Sequence, residues 1–141
     1  MQDAADVRLA THADLTTCSS FDHTAGNTAI QYAIDQQAVV LAERNGKTIG
    51  YLRLEFLWSR VPYIALVMVI EDYRGQGVSR SMLDFIESQL RTNGHKFLLS
   101  SSEVAEASAQ AWHRAVGFME CGIISGLNEG GIGEVFFRKN L

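Results

Sequence analysis

The sequence predicts a mixed α/β sandwich in a single domain over residues 1–141, with a central sheet of about six to seven strands and about four helices. Three observations predict this fold. Residues 61–70 are almost all apolar, which is typical of a central strand buried on both faces. A glycine-containing turn and a segment of helical periodicity follow that run directly. Apolar residues make up 47% of the chain and charged residues 20%, a composition that excludes wholesale disorder.

The first part of the chain predicts one strand and two helices. Residues 6–11 have the pattern of a short strand, and Thr11 is suited to cap a helix that starts in the polar segment after it. Residues 27–37 then carry apolar side chains at helical spacing.

A β-hairpin is predicted next. Asn45-Gly46 is a strong two-residue turn signal between residues 38–44 and residues 47–58. Side chains alternate in the returning strand, so one face is expected to be apolar and buried and the other polar and exposed. The apolar face would carry Leu52, Leu54, Phe56 and Trp58. The other face would carry Tyr51, Arg53 and Glu55.

The second half predicts alternating helices and strands. The first of these elements is a helix that runs from Val78 and ends at Asn93-Gly94, with a polar side formed by Arg80, Asp84, Glu87 and Arg91. A strand over 96–100 and a helix over 102–116 follow. A closing antiparallel pair is predicted over 121–125 and 133–138. The predicted order is therefore one strand, two helices, a meander, a β-α-β-α segment and two last strands.

Composition also narrows the class of protein. The formal charge of −4, with no basic block, disfavours a nucleic-acid partner. Residues 1–9 lack the features of a secretory signal, and the longest apolar run is too short to span a membrane, so a cytoplasmic protein without a membrane partner is expected. Cys18 and Cys121 are expected to be reduced thiols, and no metal-ligand spacing is found.

The turn after the apolar run is the candidate site. A strand that enters a glycine-rich turn and then a helix leaves the first helical N–H groups without partners, and these groups with the helix dipole attract a phosphate. Gly75 and Gly77 allow close approach of the backbone, and Arg74 adds a positive charge. A tight turn that binds nothing is the alternative reading of the same glycines.

The turn also resembles a known motif. Arg74-Gly75-Gln76-Gly77-Val78-Ser79 is similar to the pyrophosphate-binding motif of the GNAT superfamily of N-acetyltransferases, Gln/Arg-x-x-Gly-x-Gly/Ala, with Ser79 in place of the usual Gly or Ala. Residues 67–73 resemble that family's strand and acidic turn, and residues 109–118 resemble its helix that ends in Gly-Phe.

The resemblance implies acetyl-CoA as the cofactor, held where the strands over 61–70 and 96–100 splay apart. It implies that backbone groups of Val67 and Val69 pair with the pantetheine arm, and that an amide near Val69 stabilises the oxyanion. The implied cofactor-binding residues are Val67, Met68, Val69, Arg74, Gly75, Gln76, Gly77, Val78 and Ser79.

The resemblance further implies direct attack of an amine on the thioester. His113 stands where the family often has a tyrosine that protonates the leaving thiolate, and packing or capping near the helix end is the alternative role. Glu55 and Glu71 are the candidates for a general base, and a solvated or turn-capping carboxylate is the alternative for each.

Two hypotheses for function follow. The first is an N-acetyltransferase that acts on a primary amine of a small molecule, peptide or protein, and the second is a catalytically silent acyl-CoA-binding sensor or interaction module. The sequence does not identify the acceptor, and a homodimer through the C-terminal strands is one arrangement it leaves open. Candidate acceptor-pocket residues are Asp22, His23, Tyr32, Trp58 and Tyr63.

Overall fold

The computed structural model describes residues 4–141, and seven strands and four α-helices lie within them. The elements are β1 (Asp6–Leu9), α1 (Leu15–Phe21), α2 (Asn27–Asp35), β2 (Val39–Arg44), β3 (Lys47–Leu57), β4 (Val61–Val69), α3 (Val78–Thr92), β5 (Phe97–Glu103), α4 (Ala107–Ala115), β6 (Met119–Ile124) and β7 (Glu134–Asn140).

The strands form one mixed sheet in the order β1-β2-β3-β4-β5-β7-β6. The predicted fold class and element order are therefore confirmed. The first three residues of the polar N-terminal segment lie outside the described part of the chain. Within residues 4–141, no helix has both the length and the apolar character needed to cross a membrane.

The chain contains two compact units. One comprises the residues up to Glu55 together with Ala65–Gln89, and the other comprises Phe56–Ile64 and Leu90–Leu141. That the whole chain behaves as one domain stays a prediction.

The first unit contains the antiparallel meander β1-β2-β3. Asn45 and Gly46 have φ angles of 52° and 77°, the positive values that a two-residue type I′ turn requires, so the predicted hairpin is confirmed. Helix α3 packs closely on β3 at Gly50, where an added Cβ would lie 2.9 Å from Met82 Cε and 3.0 Å from Val78 Cγ1. A side chain at this position would have to displace the side chains of Met82 and Val78.

The expectation of a half-buried β3 is wrong. Tyr51 and Arg53, placed on the exposed face by the alternation, are both buried, with Arg53 only 5% exposed. Asp22, between α1 and α2, neutralises Arg53 and makes its burial tolerable. Trp58, expected on the apolar face, lies beyond the end of β3 and is 73% exposed.

Two further burial predictions are corrected. Strand β4 is not buried on both faces throughout, because most of its residues are half-buried and its last residues line a cavity. In α3 the predicted apolar face is buried, but Glu87 is buried with it. Glu87 is four residues after buried Leu83 and so falls on the same helical stripe.

The second unit contains the start of β4 and the C-terminal strands. Tyr63 on β4 pairs in parallel with Leu99 on β5, β7 lies antiparallel to β5 along its length, and β6 pairs with the other edge of β7. The predicted closing antiparallel pair is confirmed. The helix predicted from residue 102 begins only at Ala107, because β5 continues its ladder with β7 to Glu103.

Candidate active site

The turn between β4 and α3 is shaped by two glycines. After β4 a short 3₁₀ turn runs from Glu71 to Tyr73, and α3 begins at Val78. Gly75 and Gly77 have φ angles of +74° and +82°, values that residues with a Cβ rarely adopt. The backbone of this segment therefore depends on glycine at both positions.

The amide groups of this turn are available to a ligand. The first α-helical hydrogen bond of α3 is donated by Ser81 N to Gly77 O at 3.0 Å, so the preceding amides lie before the helical ladder. Among residues 4–141, no acceptor is found for the amides of Gly75, Gln76, Gly77 and Val78. With the positive end of a 15-residue helix beside them, these donors form a cradle suited to an anion.

A cavity of about 370 Å³ opens at the cradle. A Cβ added at Gly75 or Gly77 would meet no atom within 4 Å, so side chains there would project into open space. The residues that line the cavity are Ala4, Ala5, Arg44, Gly75, Gln76, Gly77, Val78 and Ser81. The cradle therefore has both the donors and the space that a phosphate group needs.

Arg44, at the end of β2, is a cavity residue that the sequence analysis missed. Its Nη1 donates to Gln76 Oε1 at 2.7 Å, and its Nε is buried with no acceptor among the described residues. No motif marks this arginine.

The predicted strand residues lie close to the cradle. Arg74 Nε donates to Val69 O at 3.0 Å and so joins the turn to the end of β4. A second cavity of about 620 Å³ reaches from this point to α1. Its lining residues are Thr17, Ser20, Phe21, Gly46, Thr48, Met68, Val69, Ile70 and Arg74. The structure thus brings Met68, Val69 and Arg74 together at one cavity, beside the cradle turn.

The two candidate carboxylates are both exposed. Glu55 lies on β3, with Oε2 3.4 Å from Arg53 Nη1. Glu71 opens the 3₁₀ turn, and its carbonyl oxygen accepts from Arg74 N. Neither lines either of the two cavities.

His113 is enclosed in the second unit and is 4% exposed. Its Nδ1 donates to Ala109 O at 2.7 Å. In the neutral ring Nε2 is then the acceptor, and it accepts from Ser100 Oγ at 2.6 Å. The ring stacks on Phe137 with the two ring centroids 4.4 Å apart. The pKa of His113 is lowered, because the effect of burial outweighs the effects of Ala109 O and the Glu134 carboxylate, which raise it. These contacts favour the packing alternative, and the role of catalytic acid stays a prediction.

Asp22 anchors the segment between α1 and α2. It is 2% exposed, and its Oδ2 accepts from Arg53 Nε at 2.6 Å and from Tyr51 Oη at 2.7 Å. Its Oδ1 accepts from Thr24 N and Thr24 Oγ1. Burial alone would raise the pKa of Asp22, but the hydrogen bonds from Tyr51, Arg53 and Thr24 outweigh it and lower that pKa. Asp22 was predicted as a pocket residue, and its pairing with Arg53 was not predicted.

The other proposed acceptor-pocket residues are dispersed. His23, Tyr32 and Trp58 are exposed. Tyr63 Oη lies 2.6 Å from Ser101 Oγ, which donates to Glu134 Oε2 at 2.5 Å. Within the second unit this chain of bonds joins β4, β5 and β7.

Comparison with known proteins identifies a family. Residues 8–118 match the family model described as the acetyltransferase (GNAT) family. A search of curated protein sequences finds no match.

Several solved structures share the fold. The chain is similar to a ribosomal-protein-alanine N-acetyltransferase from Brucella melitensis, with 24% identity, coverage of 96% of this chain and 99% of the other, and a TM-score of 0.77. It is also similar to Ard1 from Thermoplasma volcanium, with 14% identity, 99% coverage of both chains and a TM-score of 0.84. A third similar structure is yncA, described as a putative acetyltransferase, from Salmonella typhimurium with its cofactor acetyl-CoA, at 18% identity, 99% and 95% coverage and a TM-score of 0.82.

Proposed function

This chain belongs to the acetyltransferase (GNAT) family, and from that membership we propose that it transfers an acetyl group from acetyl-CoA to a primary amine of a small molecule, peptide or protein. The amine would attack the thioester directly in a ternary complex. The observation that carries the proposal is the cradle between β4 and α3, in which unpaired amides and an open cavity coincide with the family's pyrophosphate motif.

The residues present suit acetyl-CoA. The amides of Gly75, Gln76, Gly77 and Val78 would hold the pyrophosphate, and the small side chain of Ser79 leaves room beside them. When bound, acetyl-CoA supplies an activated acetyl thioester. Backbone groups of Val67 and Val69 would align the pantetheine arm as an added strand.

Arg74 Nε donates to Val69 O in this structure. Pairing of Val69 O with the pantetheine arm would require that hydrogen bond to be shared or broken. The exposed Arg74 side chain is able to turn toward a phosphate instead. Arg74 thus holds the turn against β4 and provides a charge for the cofactor.

The acceptor amine must lose a proton before it attacks. Glu55 and Glu71 are the carboxylates proposed for this step, directly or through water. Both are exposed and therefore open to solvent exchange of the proton. The Glu55 carboxylate lies 3.4 Å from a guanidinium nitrogen of Arg53.

A second candidate function is a silent acyl-CoA-binding module. The enclosure of His113 favours it, since a side chain with both ring nitrogens engaged and little exposure is poorly placed to protonate a thiolate. This module would keep the cradle and bind acetyl-CoA without turnover.

Turnover separates the two functions. The purified protein would be incubated with acetyl-CoA and a panel of polyamines, amino acids and peptides, and CoA release would be followed with a thiol reagent while mass spectrometry identifies the acetylated product. The panel would include a peptide with N-terminal alanine, because one similar structure is a ribosomal-protein-alanine N-acetyltransferase. CoA release with an acceptor, abolished by Gly77→Glu, supports the enzyme. Binding without release supports the silent module, and absence of binding contradicts both.

A further inference from the structure

We propose that Arg44, on the β2–β3 hairpin and outside the family motif, is a phosphate-binding side chain of the cradle. This inference rests on the proposed function, because acetyl-CoA is the ligand that would supply the phosphate. Three independent features of Arg44 support it: its position in the cavity, its incomplete hydrogen bonding and its unbalanced charge.

The position is fixed by the hydrogen bond to Gln76. Arg44 Nη1 donates to Gln76 Oε1 at 2.7 Å, and Gln76 Nε2 donates to Asp72 O at 3.2 Å. The arginine therefore lines the same cavity of about 370 Å³ as Gly75 and Gly77. A phosphate held by the cradle amides would lie within the space that this guanidinium borders.

The hydrogen bonding of Arg44 is incomplete. Its Nε is buried, and no residue among 4–141 accepts from it. Buried donors are nearly always satisfied, so an orphaned guanidinium nitrogen in a residue that lines the cavity points to a ligand acceptor. Phosphate oxygens suit it well, because the planar guanidinium donates to two of them at once.

The charge around Arg44 is also unbalanced. Arg44 and Lys47 are direct cross-strand partners, and the Arg44 Cζ and Lys47 Nζ atoms each lie 5.5 Å from the centroid of the Tyr73 ring. In the described part of the chain neither cation makes a salt bridge with a carboxylate. Like charges directly opposite in a hairpin repel each other, and an anion beside them relieves the repulsion.

Acetyl-CoA offers two sources of phosphate, the pyrophosphate and the 3′-phosphate of the ribose. Both present the same oxygens to a guanidinium. Dephospho-CoA lacks only the 3′-phosphate, so comparing it with CoA distinguishes the two sources.

The experiment measures the Kd of CoA and of dephospho-CoA by calorimetry for the wild type, Arg44→Gln, Arg44→Lys and Arg60→Gln. Arg60→Gln is the matched control, since it removes one exposed arginine charge in the β3–β4 turn. Arg44→Gln is expected to weaken CoA binding by about ten-fold or more, because a hydrogen bond to a charged group is lost. Arg44→Lys keeps the charge without the planar guanidinium, so its Kd is expected to lie between those of the wild type and Arg44→Gln. Arg60→Gln is expected to bind as the wild type does.

Equal losses for CoA and dephospho-CoA would assign Arg44 to the pyrophosphate, and a loss for CoA alone would assign it to the 3′-phosphate. An affinity of Arg44→Gln within two-fold of the wild type for both ligands overturns the inference. If that variant does not fold, a wild-type affinity of Arg44→Lys for both ligands overturns it instead. A wild type that binds neither ligand contradicts the proposed function itself, whereas a binding wild type with a neutral Arg44 substitution contradicts only this inference.

Discussion

The buried ion pair between Asp22 and Arg53 makes Asp22→Asn an informative substitution, because its effect on stability follows from the observed contacts. Asparagine keeps the shape of the side chain and removes its charge. Arg53 Nε at 2.6 Å and Tyr51 Oη at 2.7 Å both donate to Asp22 Oδ2, so an amide NH₂ there would face two donors. The Thr24 bonds to Oδ1 would survive, since the amide oxygen accepts equally.

The expected cost follows from burial. With Asp22 2% exposed and Arg53 5% exposed, the arginine would lose its buried counter-charge and keep only the exposed Glu55 carboxylate, 3.4 Å from its Nη1. Loss of one partner of a buried pair costs about 3–5 kcal/mol. For a chain of this length that corresponds to a fall in Tm of roughly 10–15 °C.

Urea unfolding followed by circular dichroism measures this cost. The matched control is Asp35→Asn, because Asp35 pairs with His12 on an exposed part of α2. An exposed pair contributes about 0–1 kcal/mol, so the control should unfold at nearly the wild-type urea concentration. The double variant Asp22→Asn/Arg53→Met should recover part of the loss, since it removes both charges.

The pH dependence provides a second test with a defined sign. Because the folded pKa of Asp22 is depressed, its contribution to stability is present above its unfolded pKa of about 3.9 and is lost as the pH falls through the folded pKa. The difference between wild type and Asp22→Asn should therefore be constant from pH 8 to pH 5 and shrink below about pH 4. A cost at pH 7 no larger than that of Asp35→Asn would refute the reasoning.

Two further predictions concern the buried residues Gly50 and His113. Gly50→Ala should lower the free energy of unfolding by about 1–3 kcal/mol in urea titrations, because its Cβ would lie 3.0 Å from Cγ1 of the β-branched Val78 as well as against the Met82 side chain. A neutral substitution would show that these two side chains move aside without cost. For His113 the folded pKa lies below the unfolded value of about 6.5, so the unfolded state binds more protons between those values and stability falls as the pH is lowered below about 6.5. His113→Gln should flatten that decline between pH 7 and pH 5, and parallel curves for variant and wild type would contradict the burial argument.

The cradle was predictable from sequence because its causes are local. Within a few residues the chain passes from an apolar strand through Gly75 and Gly77 into an amphipathic helix, and each of those signals acts on its own neighbours. The hairpin at Asn45-Gly46 was predictable for the same reason.

The errors have non-local causes. Arg53 was placed on an exposed face because its partner Asp22 is 31 residues earlier in the chain, and no periodicity in β3 reveals that pairing. Arg44 was missed because 32 residues separate it from Gln76. Both arginines are ordinary in sequence and acquire their roles only when the fold brings distant segments together.

The central claim is that the turn between β4 and α3 binds acetyl-CoA, and a thermal-shift titration of wild type, Gly77→Glu and Gly94→Glu tests it most directly. Gly94→Glu is the matched control, because Gly77 and Gly94 have φ angles of +82° and +88° and a Cβ added at either meets nothing within 4 Å. A ligand at about 100 times its Kd stabilises by roughly 2.7 kcal/mol, a shift of several degrees.

We expect acetyl-CoA and CoA, but not ATP, to raise the Tm of the wild type and of Gly94→Glu and to leave Gly77→Glu unchanged. An equal shift in Gly77→Glu, or none in the wild type, would contradict the claim.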